Sequence, residues 1–74
     1  MKGINNKLMV AFLERHHSLL QDGYRDVIIS NTYGVHYCKM RHANGNYVSL
    51  TAYPDDNVLV QRSNGVIVHE EKMC

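Results

Sequence analysis

The 74-residue sequence has no Trp, a single Phe, a single Pro and only two Cys. Two cysteines cannot form the multi-disulfide framework of a small secreted scaffold. An excess of charge is also missing, since eight Lys and Arg stand against seven Asp and Glu. This balance gives no support to a protein drawn to nucleic acid or membranes by its overall charge. The length excludes a two-domain enzyme and predicts one domain with a marginal core.

Long apolar runs are absent as well. The longest covers residues 8–13, which is shorter than a signal-peptide core or the about 18–20 residues of a membrane-spanning helix. We therefore expect a cytoplasmic protein without membrane contact. Thiols stay reduced in that compartment, so a bridge between Cys38 and Cys74 is not expected.

The apolar residues that are present change period along the chain. Over residues 4–21 they recur with the spacing of an amphipathic helix, and Gly23 is a natural helix terminator. After Gly23 the period becomes two. Short runs bounded by turn residues then predict strands over 25–30, 34–42, 46–53, 57–62 and 66–70. Because the turns are short, we predict an α+β fold over residues 1–74, with one N-terminal helix on one face of a five-stranded antiparallel β-meander.

Loop length decides which side chains share a sheet face. A three-residue loop with Gly45 in the left-handed region brings apolar residues together across the turn at Asn44-Gly45. The same loop class also suits the turns at 54–56 and 63–65. The predicted cross-strand pairs are Met40 with Val48, Cys38 with Leu50, Ala52 with Val58, and Val60 with Val68.

This register separates the sheet into two faces, of which a single helix covers only one. The predicted helix-facing side carries Val27, Ile29, His36, Cys38, Met40, Val48, Leu50, Ala52, Val58, Val60, Val66 and Val68. The other side carries Ile28, Val35, Tyr37, Lys39, Arg41, Tyr47, Ser49, Thr51, Tyr53, Leu59, Gln61, Ile67 and His69. The chain has no second helix with which to cover this mixed side.

The uncovered side predicts a contact surface, because Tyr and Arg are enriched at interfaces. The simpler alternative is an ordinary exposed sheet, where Tyr and Thr are common. We predict a small non-enzymatic binding module that acts through protein–protein contacts, with a second copy of the chain as one partner. From size alone, such a module fits the small accessory or inhibitor proteins of bacteria and their phages. The predicted partner-binding residues are Tyr37, Lys39, Arg41, Tyr47 and Tyr53, with Leu59 and Ile67 as apolar anchors.

The same patch suggests an alternative function, the binding of single-stranded nucleic acid. Aromatic side chains that stack on bases beside basic groups are typical of sheet-based modules of that kind. Lys39 and Arg41 are the only basic residues in the predicted patch, however. The charge available for phosphate contacts is therefore small.

Metal binding and catalysis have weaker support. His16, His36 and Cys38 are candidate ligands, but a zinc site needs four ligands and usually has close Cys or His pairs. Neither C-x-x-C nor H-E-x-x-H occurs. Cys38 is predicted to be buried, where a thiol is inert. We therefore predict no catalytic residue, cofactor or metal, and expect His36 and Cys38 to be packed in the core.

Overall fold

The structure, a computed structural model, describes residues 6–73. Its elements are α1 (Asn6–Gln21), β1 (Arg25–Thr32), β2 (Val35–Arg41), β3 (Tyr47–Tyr53), β4 (Val58–Ser63) and β5 (Val66–Lys72). The strands lie in the sheet in the order of the sequence, and each pairs antiparallel with the next. The predicted helix on a five-stranded antiparallel meander is confirmed. Residues 4 and 5 of the predicted helix lie outside the described part.

The helix ends where Gly23 adopts a left-handed conformation, with φ of 101°. The N–H of Gly23 donates to the carbonyl oxygen of Leu20, and the N–H of Tyr24 donates to that of Leu19. This pair of hydrogen bonds is the Schellman motif, which satisfies carbonyl groups that the helix leaves free. The motif turns the chain directly into β1.

The core lies between α1 and the middle of the sheet, and α1 packs chiefly on β3 and β4. Complete burial of an aliphatic or aromatic side chain stabilises a fold by about 1.5–3 kcal/mol. The buried core cluster consists of Leu8, Phe12 and Leu19 from the helix with Cys38, Met40, Val48, Leu50, Ala52 and Leu59 from the sheet. The edge strand β1 contributes no residue to this cluster among the described residues.

The hairpin between β2 and β3 has the predicted register. Met40 pairs with Val48, and Cys38 pairs with Leu50. Gly45 has φ of 96°, as the predicted three-residue loop requires.

The hairpin between β3 and β4 differs from the prediction by one residue. Asn57 adopts φ of 54°, so the loop holds the four residues 54–57. Ala52 consequently pairs with Leu59, and the predicted pair of Ala52 with Val58 is wrong. Asn tolerates the left-handed region because its short side chain forms local hydrogen bonds. The one-residue shift turns the whole of β4 over, so that Leu59 lies in the core with 0% of its surface exposed.

The turn between β4 and β5 is shorter than predicted. Asn64 and Gly65 both have positive φ, 51° and 86°. This is the two-residue type I′ turn, which matches the natural twist of a hairpin. Ser63 therefore pairs with Val66, with no third loop residue between them.

A bulge follows this turn. Arg62 pairs with Ile67, but the next register position skips Val68. Val60 then pairs with Glu70, so the predicted pair of Val60 with Val68 is wrong. Ile67 keeps its predicted face, because the two-residue turn pairs it with Arg62, which the shift in β4 moved to that face. His69 lies beyond the skipped residue and pairs with Gln61, so it lies on the helix side and its predicted place on the opposite side is wrong.

Candidate functional site

We use the term open face for the sheet surface opposite α1. Cross-strand pairing places on it Arg25, Ile28, Ser30, Thr32, Val35, Tyr37, Lys39, Arg41, Tyr47, Ser49, Thr51, Tyr53, Val58, Val60, Arg62, Ile67, Glu70 and Lys72. All the predicted partner-binding residues lie there except Leu59. That residue is buried under α1 because of the four-residue loop before β4, so it cannot serve as an apolar anchor.

One row of side chains crosses all five strands of the open face. Successive pairs join Ile28, Lys39, Ser49, Arg62 and Ile67. Both isoleucines at the ends are about half exposed, 48% and 51%. With neighbouring strands about 4.8 Å apart, the row spans roughly 19 Å. We call this set the central row.

Arg62 is the member of the central row that sequence reasoning missed. The predicted register assigned Gln61 to this face and therefore directed Arg62 toward the helix. The left-handed Asn57 reverses both assignments. The preference of Asn for the left-handed region was the only signal in the sequence that could have revealed this, and it does not by itself fix a loop length.

The ring of Tyr47, at one end of the face, contacts two positively charged side chains. Lys39 Nζ lies 4.6 Å from the centroid of the Tyr47 ring, and Arg41 Cζ lies 5.7 Å from it. Such contacts contribute about 0.5–1 kcal/mol each at exposed sites. Asn64 fixes the backbone of Tyr47, because its side-chain oxygen accepts from the Tyr47 N–H at 3.0 Å and its own N–H donates to the Tyr47 carbonyl at 2.9 Å.

A hollow of about 540 Å³ lies beside this tyrosine. Its volume is within the roughly 300–1,000 Å³ of small-molecule sites. The polar, charged and aromatic side chains that line it are those of Tyr37, Lys39, Tyr47, Ser49, Arg62 and Asn64. No carboxylate lines it within residues 6–73. The hollow is therefore locally positive although the formal charge of the chain is only +1.

The floor of the open face is packed. Thr51 and Val60 pair across β3 and β4 and are both buried, although α1 lies on the other side of the sheet. Their neighbours on the face must therefore cover them. Packing against Thr51 and Val60 restricts the surrounding side chains in the free protein.

A second group of polar side chains lies on the helix side, between α1, β1 and β2. One ligand-type atom from each of His16, Asp26 and Cys38 lies within 4.8 Å of the other two. The Nε2 atom of His16 is 2.9 Å from both carboxylate oxygens of Asp26. Burial, followed by the negative charge of Asp26, raises the pKa of the Cys38 thiol to about 11, and a backbone hydrogen bond from Leu50 opposes the shift.

This group differs from the candidate ligands in the sequence. His36 lies two residues before Cys38 on β2, and its ring packs against Phe12 with the centroids 6.2 Å apart. Asp26, and not His36, is the third ligand-type residue of the group. A bulge in β1 brings it to the helix side, because Asp26 pairs with Met40 while Ile28 pairs with Lys39. Strict alternation along β1 would have placed Asp26 on the open face, which explains why the sequence did not indicate it.

Within residues 6–73, no helix combines the length and the apolar content needed to cross a membrane. No protein-family model matches the chain, and neither a curated protein nor a solved structure is significantly similar to it. What the protein does is therefore inferred from the open face itself.

Proposed function

We propose that this protein is a small non-enzymatic binding module whose open face contacts an acidic surface on a protein partner. The central row carries the proposal, because Lys39 and Arg62 lie between the half-exposed Ile28 and Ile67. A complementary surface presents carboxylates to the two cations and apolar groups to the two ends. Complementary charge of this kind selects the partner and accelerates association.

Contacts that restrain side chains of the face in the free protein add to its suitability for binding. Tyr47 is held by backbone hydrogen bonds with Asn64, and its ring keeps Lys39 and Arg41 side by side. Ordering a long side chain at an interface costs about 0.5–1.5 kcal/mol. Side chains that are already ordered in the free protein avoid part of that cost. Tyr and Arg are also the residues that most often dominate binding energy.

A second copy of the chain is a further proposed partner, which would pair at the edge of the sheet rather than bind the open face. The edge strand β1 exposes Val27, Ile28 and Ile29, and no strand pairs with its outer side among the described residues. Exposed apolar edge strands tend to pair with another strand. Two β1 strands paired antiparallel about a two-fold axis would join two open faces into one surface.

Cys38 supports both the non-enzymatic character and a cytoplasmic location. It is a free, buried thiol, and its raised pKa keeps it protonated at neutral pH. A thiol of this kind is a poor nucleophile. A free thiol also fits a reducing compartment.

Single-stranded nucleic-acid binding is the second candidate function, and the hollow favours it. Arg62 adds a third cation to Lys39 and Arg41, and Tyr37 and Tyr47 both line the hollow. Base stacking on aromatic rings contributes about 1–3 kcal/mol per base. One side of the Tyr47 ring is already occupied by Lys39, which is why we place this function second.

The experiment that tests the proposal compares Arg62→Glu with Lys7→Glu, which makes the same change of charge on the exposed surface of α1. Proteins retained by the wild-type chain from its native host are identified by mass spectrometry, purified and titrated by calorimetry. We expect Arg62→Glu to weaken binding about tenfold or more, as the loss of a central interface charge does. Lys7→Glu should leave the affinity within roughly twofold, as a surface change away from the interface does.

Ionic strength separates the two candidate functions. A fluorescent oligothymidine is titrated in parallel at several salt concentrations. Nucleic-acid binding would show a log–log slope of about −0.7 per phosphate contact. A purified protein partner that binds wild type and Arg62→Glu equally, together with no oligonucleotide binding, contradicts the proposed role of the open face.

A further inference from the structure

The group formed by His16, Asp26 and Cys38 brings three kinds of metal ligand together from three separate elements. An imidazole comes from α1, a carboxylate from β1 and a thiol from β2. Nitrogen, oxygen and sulfur donors together are a set that suits zinc and related borderline cations. We propose that these three side chains form a binding site for a divalent cation of the zinc class, with water in the fourth position.

The distances require only a small adjustment. Zinc bonds of about 2.0–2.3 Å in tetrahedral geometry place the ligand atoms roughly 3.3–3.7 Å apart. The three atoms are now within 4.8 Å of one another, and the closest pair, His16 Nε2 and an oxygen of Asp26, is separated by 2.9 Å. Side-chain rotation of the partly exposed His16 and Asp26 can supply the change, while the buried sulfur of Cys38 stays in place.

The sulfur is already oriented for this role. The backbone of Leu50, the cross-strand partner of Cys38, forms a hydrogen bond with the sulfur and so fixes its position. Hydrogen bonds from the outer shell commonly fix metal ligands in this way. On binding, the thiol proton passes to solvent and the sulfur–metal bond forms. The double positive charge then balances one thiolate and one carboxylate, which leaves the site neutral beside the core.

The position of the site gives the cation a structural task. The helix packs chiefly on β3 and β4, so β1 is held to it by the His16–Asp26 contact and by the hydrogen bond from Arg25 to the Leu20 carbonyl rather than by the core. A cation bound here would fasten α1, β1 and β2 at one point. Domains of this size often rely on a structural metal because their cores are small.

The test is a titration of the full chain with Co²⁺, without a histidine tag and with Cys74→Ser to remove the second thiol. We expect one equivalent to produce a thiolate-to-cobalt charge-transfer band and the strong visible bands of tetrahedral cobalt. Zn²⁺ should abolish both. His16→Gln and Asp26→Asn should each weaken binding by about tenfold or more, since even the loss of outer-shell partners commonly costs 10–100-fold.

His17→Gln is the matched control, because His17 is the exposed neighbour of His16 on the same helix. It should bind cobalt as the Cys74→Ser protein does. Cys38→Ser should lose the charge-transfer band. If that variant fails to fold, the variants of the two partly exposed ligands, His16→Gln and Asp26→Asn, still decide whether the site exists. Absence of the band in the Cys74→Ser protein, or equal weakening by His16→Gln and His17→Gln, would overturn the site.

Discussion

At the residue scale, Asn57 has a large effect on what the protein presents to solvent. Its φ of 54° allows four residues in the loop before β4. Every side chain of that strand changes face as a result, because successive side chains alternate. Leu59 enters the core, and Arg62 reaches the open face.

The register of β4 can be tested by two neighbouring substitutions. Leu59→Ala should lower the free energy of unfolding by about 2–5 kcal/mol, the usual cost of deleting a buried aliphatic group. Val58→Ala should cost less, roughly 1 kcal/mol, because Val58 is only half-buried on the open face. Urea unfolding followed by circular dichroism measures both. A larger loss for Val58→Ala than for Leu59→Ala would contradict the observed pairing.

At the element scale, β1 is an edge strand that contributes no residue to the core cluster among the described residues. It pairs with β2 on one side only, and 73% of the surface of Ile29 is exposed. The His16–Asp26 contact joins β1 to α1. Few buried apolar contacts and an unpaired edge are the features of a segment that opens locally before the whole fold does.

Asp26→Ala should therefore loosen β1 selectively. Loss of about 1 kcal/mol from an exposed pair raises amide exchange in β1 by roughly fivefold. Amides of the other edge strand, β5, that exchange by local opening should keep their rate, because that opening leaves the Asp26 contact intact. Hydrogen–deuterium exchange with mass spectrometry follows both strands in the metal-free protein. His69→Gln is the control, since it removes a comparable His69–Glu71 contact on β5. Similar loosening of β1 in both variants would argue against a specific role for Asp26.

The sequence predicts elements better than it predicts pairing. The helix and all five strands follow from the spacing of apolar residues along the chain. That spacing reflects which side chains are buried, and it can be read directly from the sequence. Register depends on loop length, and here it depends on whether Asn57 and Asn64 adopt positive φ, which periodicity does not encode. The same limit applies to the candidate sites. Arg62 and Asp26 were missed because a loop residue and a bulge, respectively, changed the face on which they lie.

At the scale of the whole molecule, apolar and charged groups are unevenly distributed. Both edge strands expose aliphatic side chains, whereas the middle of the open face carries Lys39, Arg41 and Arg62. The terminal half of β5 is protected by charged residues, as is common for edges that must not pair. The part of β1 that follows Asp26, residues 27–32, has no such charge. Self-association is therefore expected at β1.

Sedimentation at two protein concentrations tests this expectation. The wild-type chain should show a concentration-dependent dimer, and Ile29→Lys should remain monomeric because a charged edge side chain opposes strand pairing. Val10→Lys adds the same charge at another exposed apolar position, on α1, and should dimerise as the wild type does. A wild-type chain that is monomeric at both concentrations would exclude a second copy as the partner.

The packing of α1 on β3 and β4 also has a consequence for synthesis of the chain. The helix leaves the ribosome before the strands do, and the strands that cover Leu8, Phe12 and Leu19 are complete only at residue 63. At about 5–20 residues per second, the interval from residue 21 to residue 63 lasts roughly 2–8 s. During those seconds the apolar stripe of the helix is open to chaperones and to neighbouring nascent chains.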